Sequence, residues 1–417
     1  MKTRNTVGLA SVGLAASLLT LSGCAGSAVG NAQSSSSDAA AVDEIVIGAL
    51  HPLSGSNAAD GQQMSNAAQM AIDAVNAAGG IASLGGAELT LEAADTRGEP
   101  ETGQSEATRL IQEGAVSLVG SFQSATSANI ASVAERNGVP FVMDVSSLDS
   151  ILEQGYAYSF RLQPSAGMMG AQAADDLFRM STEAGAPVST VGYLYEQGNF
   201  GSSTYDAFAA EAEKIGFDVT QAISYDPASS DLSTQVQQAV AGGVDVLAVS
   251  GYYNDSLAIA RAVASIDPEI DAVFGVANGG YDQAQFTVDA PDSGEGYFDS
   301  NYHWDVTNPK AQDLAAAYEE EFGETIRTSA VLTYDAVMLI ADAIERAASV
   351  DPAEIRDAIA DSSYTPLVVN DGAVSFDETG QNSNASVVVM QVQDATVTQV
   401  FPAELAEADA VYPGTGQ

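Results

Sequence analysis

The feature that most constrains this chain is an alternation of short apolar runs with amphipathic helical stretches, carried through twice. Ile45-Val46-Ile47-Gly48-Ala49-Leu50 is continuously apolar and is closed by His51-Pro52-Leu53-Ser54-Gly55, the pattern of a strand covered on both faces. Downstream, Ala67, Ala68, Ala71, Ile72 and Val75 recur at helical spacing until Gly79-Gly80 stop the helix. Strands are expected at 89–94, 116–120 and 140–143, with helices at 102–113 and 124–137 between them. The pattern then restarts, with strands at 191–195, 219–223, 244–250 and 272–275 and helices at 201–215, 232–241 and 255–264. Short connections between alternating strands and helices predict an α/β chain built on doubly wound parallel sheets. Two such units, in 417 residues, predict two lobes, because single cores stop growing near ~250–300 residues. The tail breaks the rhythm: helices at 309–322, 330–348 and 352–361, then strands at 372–376 and 386–392. Late helices followed by late strands imply that the chain returns to each lobe in turn, through a hinge of several crossing segments.

The first residues read as a targeting segment. Lys2 and Arg4 precede an apolar run from Val7 to Leu21, shorter than the ~20 residues a membrane-spanning helix needs. It ends in Leu21-Ser22-Gly23-Cys24-Ala25, which resembles the lipobox of bacterial lipoproteins. That resemblance implies cleavage of residues 1–23 and acylation of Cys24, the only cysteine. Residues 24–43 are mostly Ser, Ala, Gly and Asn, too poor in large side chains to offset the entropy of ordering, and read as a flexible tether.

Composition excludes several functions. Against 13 Lys and Arg stand 56 Asp and Glu, a net charge of −43, so a nucleic-acid partner is excluded for want of clustered cations. One Cys rules out a disulfide framework and a cysteine zinc site, and two His leave little for metal or histidine chemistry. There is no G-x-S-x-G, H-E-x-x-H or phosphate loop, and nothing calls for a cofactor; no enzyme is expected. His51 reads as a structural histidine or a ligand contact, His303 beside Trp304 as hinge packing, and Glu319-Glu320-Glu321 as a solvated helix face.

Ligands on parallel sheets sit beyond the carboxyl ends of strands. The loop after the third strand, Gly120-Ser121-Phe122-Gln123-Ser124-Ala125-Thr126-Ser127, is rich in hydroxyls and opens a helix; Asp144-Val145-Ser146-Ser147 repeats that composition after the fourth. Together they suit a carboxylate, which would take hydroxyls and helix-start N–H groups, although plain helix capping uses the same residues. Phe200 and Tyr252-Tyr253 lie at matching strand ends of the second unit, positioned to cover a ligand or to fill a core.

The segments 47–55 and 72–81, with Asp95, Val139-Pro140-Phe141, Gly251-Tyr252-Tyr253 and Thr333-Tyr334-Asp335-Ala336 in the same order, resemble the branched-chain amino-acid-binding family of ABC-importer solute-binding proteins. The resemblance covers roughly residues 45–400. It implies a type I periplasmic binding fold: two Rossmann-like lobes joined by a three-stranded hinge that close on a ligand. Lobe 1 would be 44–162 plus 303–362, lobe 2 163–302 plus 363–405, and 406–417 a tail. It also implies ligand contacts at Ser124, Ser147 and the 145–147 segment (Val145, Ser146) for a carboxylate, with Phe200 and Tyr252 closing over it. Two positions depart from the family pattern. Ala277 stands where a glutamate holds the ligand's ammonium group, and Asp60 where an aromatic is usual. Either Asp60 or Asp282 then supplies the countercharge, or the ligand has no α-amine, since a buried unpaired amine is costly. The implied function is a lipid-anchored extracytoplasmic protein that delivers a small carboxylate, such as a branched-chain or other hydrophobic amino acid, to ABC permease subunits. The alternatives are an amide, urea or aromatic-acid ligand on the same fold, or a sensing role in place of transport.

Overall fold

The computed structural model describes residues 43–414 apart from Asp292; the expected signal segment, Cys24 and nearly all of the tether lie outside the described residues. The first half runs β1 (Glu44–His51), α1 (Ala58–Ala77), β2 (Glu88–Asp95), α2 (Pro100–Gln112), β3 (Ser117–Gly120), α3 (Ser124–Asn137), β4 (Phe141–Met143) and β5 (Ser159–Arg161). These strands form one parallel sheet in the order β2-β1-β3-β4-β5. Parallel strands covered on both faces need apolar residues throughout, and Ile45, Ile47, Ala49, Leu50, Leu118, Val119 and Val142 are all buried.

A second sheet uses α4 (Ala166–Glu183), β6 (Thr190–Glu196), α5 (Asn199–Ile215), β7 (Asp218–Tyr225), α6 (Ser233–Ala239), β8 (Val246–Ser250), α7 (Tyr253–Ile266), β9 (Ala272–Val276), α8 (Ala284–Asp289) and β10 (Phe298–Asn301). Then α9 (Pro309–Phe322), α10 (Thr328–Ala347) and α11 (Pro352–Ala360) precede β11 (Val388–Gln393) and β12 (Thr396–Phe401). The second sheet is ordered β12-β11-β10-β9-β8-β6-β7. Its β7-β6-β8-β9-β10 portion is parallel, while β11 and β12 add antiparallel at the edge.

The late helices return to the first sheet: Val331, Val337, Ile340 and Ile344 of α10 share a core with Ile45, Met64 and Ile72. The chain therefore passes between the two sheets three times, after Arg161, after Asn301 and before β11. Side chains tie the crossings to one another. Gln381 Nε2 donates to the Gln163 carbonyl (2.9 Å), and Asn382 Nδ2 to the Leu162 carbonyl (2.8 Å). The buried Arg161 donates to Gln381 Oε1 (3.1 Å). The described residues fall within one compact unit. The type I periplasmic binding fold is thus present, with both sheets and all three crossings.

The strand expected at 372–376 is absent. The stretch instead loops around Asn382, whose Oδ1 accepts from the Ser375 amide (3.1 Å), and keeps only the isolated bridge between Phe376 and Asn382. Val374 packs with Leu367 and Val368 in the first core. The strand expected at 386–392 is β11, shifted slightly. No helix among the described residues is long and apolar enough to cross a membrane.

Candidate functional site

In each sheet the strand order reverses at one point, β1/β3 in the first and β6/β8 in the second, and there the loops part to leave a crevice. The two crevices face each other. On the first-sheet side, β3 ends at Gly120 and α3 begins at Ser124, placing Ser124 in the first turn, where amides lack intrahelical acceptors. Beside it the 144–148 segment is pinned through its backbone. The Asp144 amide donates to Gly120 O (3.2 Å) and the Ser146 amide to Ser121 O (3.2 Å). The Ser146 carbonyl accepts from Gln163 Nε2 (2.7 Å), and the Ser147 carbonyl from the Ala166 amide (2.7 Å). On this scaffold Ser124, Ser146 and Ser147 line a small cavity of about 40 Å³. Ser124 Oγ accepts weakly from the Leu148 amide (3.4 Å). Ser146 is 1% exposed, and its Oγ finds no partner among the described residues.

The opposite wall comes from the second sheet. Phe200 sits in the first turn of α5 after β6, and Tyr252 caps α7 after β8. Their rings lie 5.9 Å apart, and Tyr252 also meets Phe122 of the first side at 6.2 Å. Asp255 holds Tyr252 in place by accepting its amide (3.0 Å) and also accepts the Tyr225 hydroxyl (2.7 Å); burial pushes the Asp255 carboxyl up to about 6. Ala277, just past β9, has φ 50, a left-handed conformation that a residue with a Cβ adopts at a cost. It is held there by its amide's bond to Ser300 O (2.9 Å). Ser124, Val145, Ser146, Ser147, Phe200, Tyr252 and Ala277 thus line one cavity, together with Met169 and Tyr302.

Asp60 does not join them. It opens α1, where Gly61 lets the helix approach the preceding turn; a Cβ there would lie 2.1 Å from Pro52 O. The Asp60 carboxylate lines a larger adjoining chamber of about 670 Å³ and pairs with Arg327 at 2.8 Å. Burial raises its pKa, and the Arg327 guanidinium offsets part of that rise. The chamber and the small cavity share Phe122, Gly279, Asn301 and Tyr302 as a partition. Asp282 lies on the chamber side of that partition, and its Oδ2 accepts from Asn301 Nδ2 at 3.4 Å. Burial raises the Asp282 carboxyl, as it does that of neighbouring Asp299, whose carboxylate accepts the Asn278 amide (3.2 Å).

His51 is structural. Its Nε2 lies 2.9 Å from Asp144 Oδ2, which also accepts from Thr333 Oγ1 (2.8 Å), so β1, the 144–148 segment and α10 are stitched together behind the serines. His303, at a crossing, places Nδ1 2.9 Å from Trp304 O, and burial lowers its pKa to about 4. Glu319, Glu320 and Glu321 are exposed. Among the described residues no group of three or more potential metal-ligating side chains occurs.

Sequence reasoning missed Phe122, Met169, Asn301, Tyr302 and Arg327. Met169 lies in the first turn of α4, a helix that was not anticipated, and Asn301 ends, and Tyr302 follows, a strand only four residues long. Arg327 carried a usable signal: one of 13 basic residues in the whole chain, it directly precedes a long apolar helix.

A periplasmic binding protein family model matches residues 44–396. A Leu/Ile/Val-binding protein homolog of Brucella suis biovar 1 is 29% identical over 92% of this chain and 96% of its own length. Among solved structures, a branched-chain amino acid transporter substrate binding protein from Streptococcus pneumoniae, in complex with isoleucine, superposes with a TM-score of 0.74; it is 22% identical, over 89% of this chain and all of that one. An ABC-transporter solute binding protein from R. palustris, in complex with benzoate, gives 0.75 at 18% identity, over 88% of this chain and 99% of that one.

Proposed function

This chain belongs to the periplasmic binding protein family, the substrate-binding proteins of ABC transporters and not enzymes, and on that footing we propose that it captures an α-amino acid between its two lobes for an importer. The observation that carries the reading is the Ser146 hydroxyl, buried and unpartnered among the described residues, beside Ser124 and Ser147 at a helix start. A ligand carboxylate satisfies it and takes first-turn amides on the positive end of α3. Phe200 and Tyr252 close over the ligand from the other lobe. Its ammonium group turns toward Asp282, through the partition that Asn301 shares. Asp60 is already neutralised by Arg327, whereas the carboxyl of Asp282 has its pKa raised by burial, and a cation beside it would offset that burial. The branched-chain ligands named for the relatives make that the starting class.

Capture proceeds by hinge closure about the three crossings. Contacts between the lobes support this: Asn254 Nδ2 donates to Ser56 O (3.3 Å), and the Arg327 guanidinium lies 5.5 Å from the Tyr253 ring centre. Cys24, acylated, anchors the protein to the outer face of the cell membrane, and ABC permease subunits receive the closed form. The test is a set of ligand-induced melting shifts with L-amino acids, their amine-free analogues and benzoate. L-Amino acids should raise the melting temperature and amine-free analogues should not; Asp282→Asn should abolish that distinction. Shifts from benzoate or amine-free acids alone would refute the amino-acid reading.

A further inference from the structure

The chamber beside the small cavity has walls of a definite chemistry. At about 670 Å³ it is within the size range of small-molecule sites, and it shares Phe122, Gly279, Asn301 and Tyr302 with the cavity at the serine wall. Its far wall is the Asp60–Arg327 pair, whose side chains are 5% and 14% exposed. That pair is held rigidly. Arg327 caps α10, and its amide donates to Gln63 Oε1 (2.8 Å), one turn along α1 from Asp60. Gln63 Nε2 in turn donates to Thr325 O (3.2 Å). Two further acceptors line the same space without a hydrogen-bond partner among the described residues: Ser329 Oγ, on a residue 7% exposed, and Gln283 Oε1.

A buried ion pair adds little to stability, since desolvation consumes most of the attraction and apolar residues of similar size do as well. A fixed guanidinium–carboxylate pair at the edge of a ligand chamber is better explained by what it contacts. An aliphatic side chain placed there would strip water from Asp60, Arg327, Ser329 and Gln283 and return nothing. At the pair itself a cationic group would meet Arg327 and an anionic one Asp60, while Asp282, elsewhere on the lining, is taken by the ligand's ammonium group. A neutral group that both donates and accepts matches the wall: its N–H groups meet Asp60, Ser329 and Gln283, and its carbonyl meets the N–H groups of Arg327 that the Asp60 contact leaves over.

We propose that the chamber is the side-chain subsite and that it selects an amino acid ending in a carboxamide or ureido group over a branched aliphatic one. This rests on the reading that the headgroup is an α-amino acid held at the serine wall.

The experiment is a calorimetric titration of the full chain with L-glutamine, L-citrulline, L-leucine, L-lysine and L-glutamate. Glutamine or citrulline should bind at least about tenfold tighter than the other three, the scale of one hydrogen bond to a charged group. Ser329→Ala should weaken the amide ligand at least about threefold and leave leucine binding no weaker, since the hydroxyl that leucine would desolvate is gone. Arg327→Met should bring amide and aliphatic ligands to within about threefold of each other while leucine binding is kept. Leucine binding as tightly as glutamine, or a preference for lysine or glutamate, overturns the chamber assignment and leaves the headgroup assignment standing. Failure of all five to bind overturns both.

Discussion

Replacing Ser146 by alanine separates a binding hydroxyl from a structural one, because the two roles predict opposite effects. Ser146 is 1% exposed and its Oγ has no partner among the described residues, so the hydroxyl is buried without a protein hydrogen bond in return. Such a group costs about 1–3 kcal/mol, and its removal leaves little empty space because only one oxygen is lost. Ser146→Ala should therefore keep or raise the stability of the ligand-free protein, read by urea or thermal unfolding. In the complex the same hydroxyl donates to a carboxylate, worth about 1.5–3 kcal/mol, so affinity should fall roughly 10–150-fold by calorimetry. The segment's scaffold survives, since its bonds to Ser121, Gln163 and Ala166 are made through the backbone. A variant less stable by more than about 1 kcal/mol with undiminished affinity would refute the reasoning and make Ser146 a packing residue.

The same physics gives other outcomes. Ala277 at φ 50 tolerates glycine but not a β-branched residue, so Ala277→Val should cost at least about 1 kcal/mol, while Ala277→Gly melts at or above the parent. Gly170 packs α4 on α5 so closely that a Cβ would lie 2.3 Å from Thr204 O; Gly170→Ala should destabilise by about 1–3 kcal/mol in chemical denaturation. Burial raises Asp176 and Asp255 to about 6 and Asp335 to about 7, from an ordinary value of 3.8. In that window the native state binds more protons than the unfolded chain, so this contribution is complete below the ordinary value and is lost as pH rises through 6 to 7. The ligand-free melting temperature should fall between pH 5 and 8, less steeply in Asp176→Asn; a rise over that range contradicts the assignment.

The two-lobe α/β plan was legible because strands covered on both faces must be continuously apolar, and runs such as 45–50 and 246–249 have few other uses. The serine loops were legible for a related reason: a strand end that leads into a helix start needs small polar residues whatever else it does. What hid was short or polar. β10 reads Phe-Asp-Ser-Asn, and Asp299, Ser300 and Asn301 are buried by partners far away in sequence, which no local pattern reveals. The α4 signal was present, with Ser165 accepting from the Met168 amide at its start and Ala173, Ala174, Leu177 and Met180 on one buried face. The strand expected at 372–376 shows the converse error, alternation produced by a loop folded around a single buried asparagine. Asp60 was singled out as a departure from the family's aromatic position, and its partner Arg327 lies on an element that sequence order does not bring near.

The most direct test of the account is a crystal structure of the protein grown with the amino acid that binds most tightly. The account predicts a ligand carboxylate within about 3.2 Å of Ser146 Oγ and of Ser124 or Ser147, with Phe200 and Tyr252 over it and the ammonium group toward Asp282. A ligand whose carboxylate lies elsewhere, with the serine hydroxyls turned to water or to protein, would contradict it.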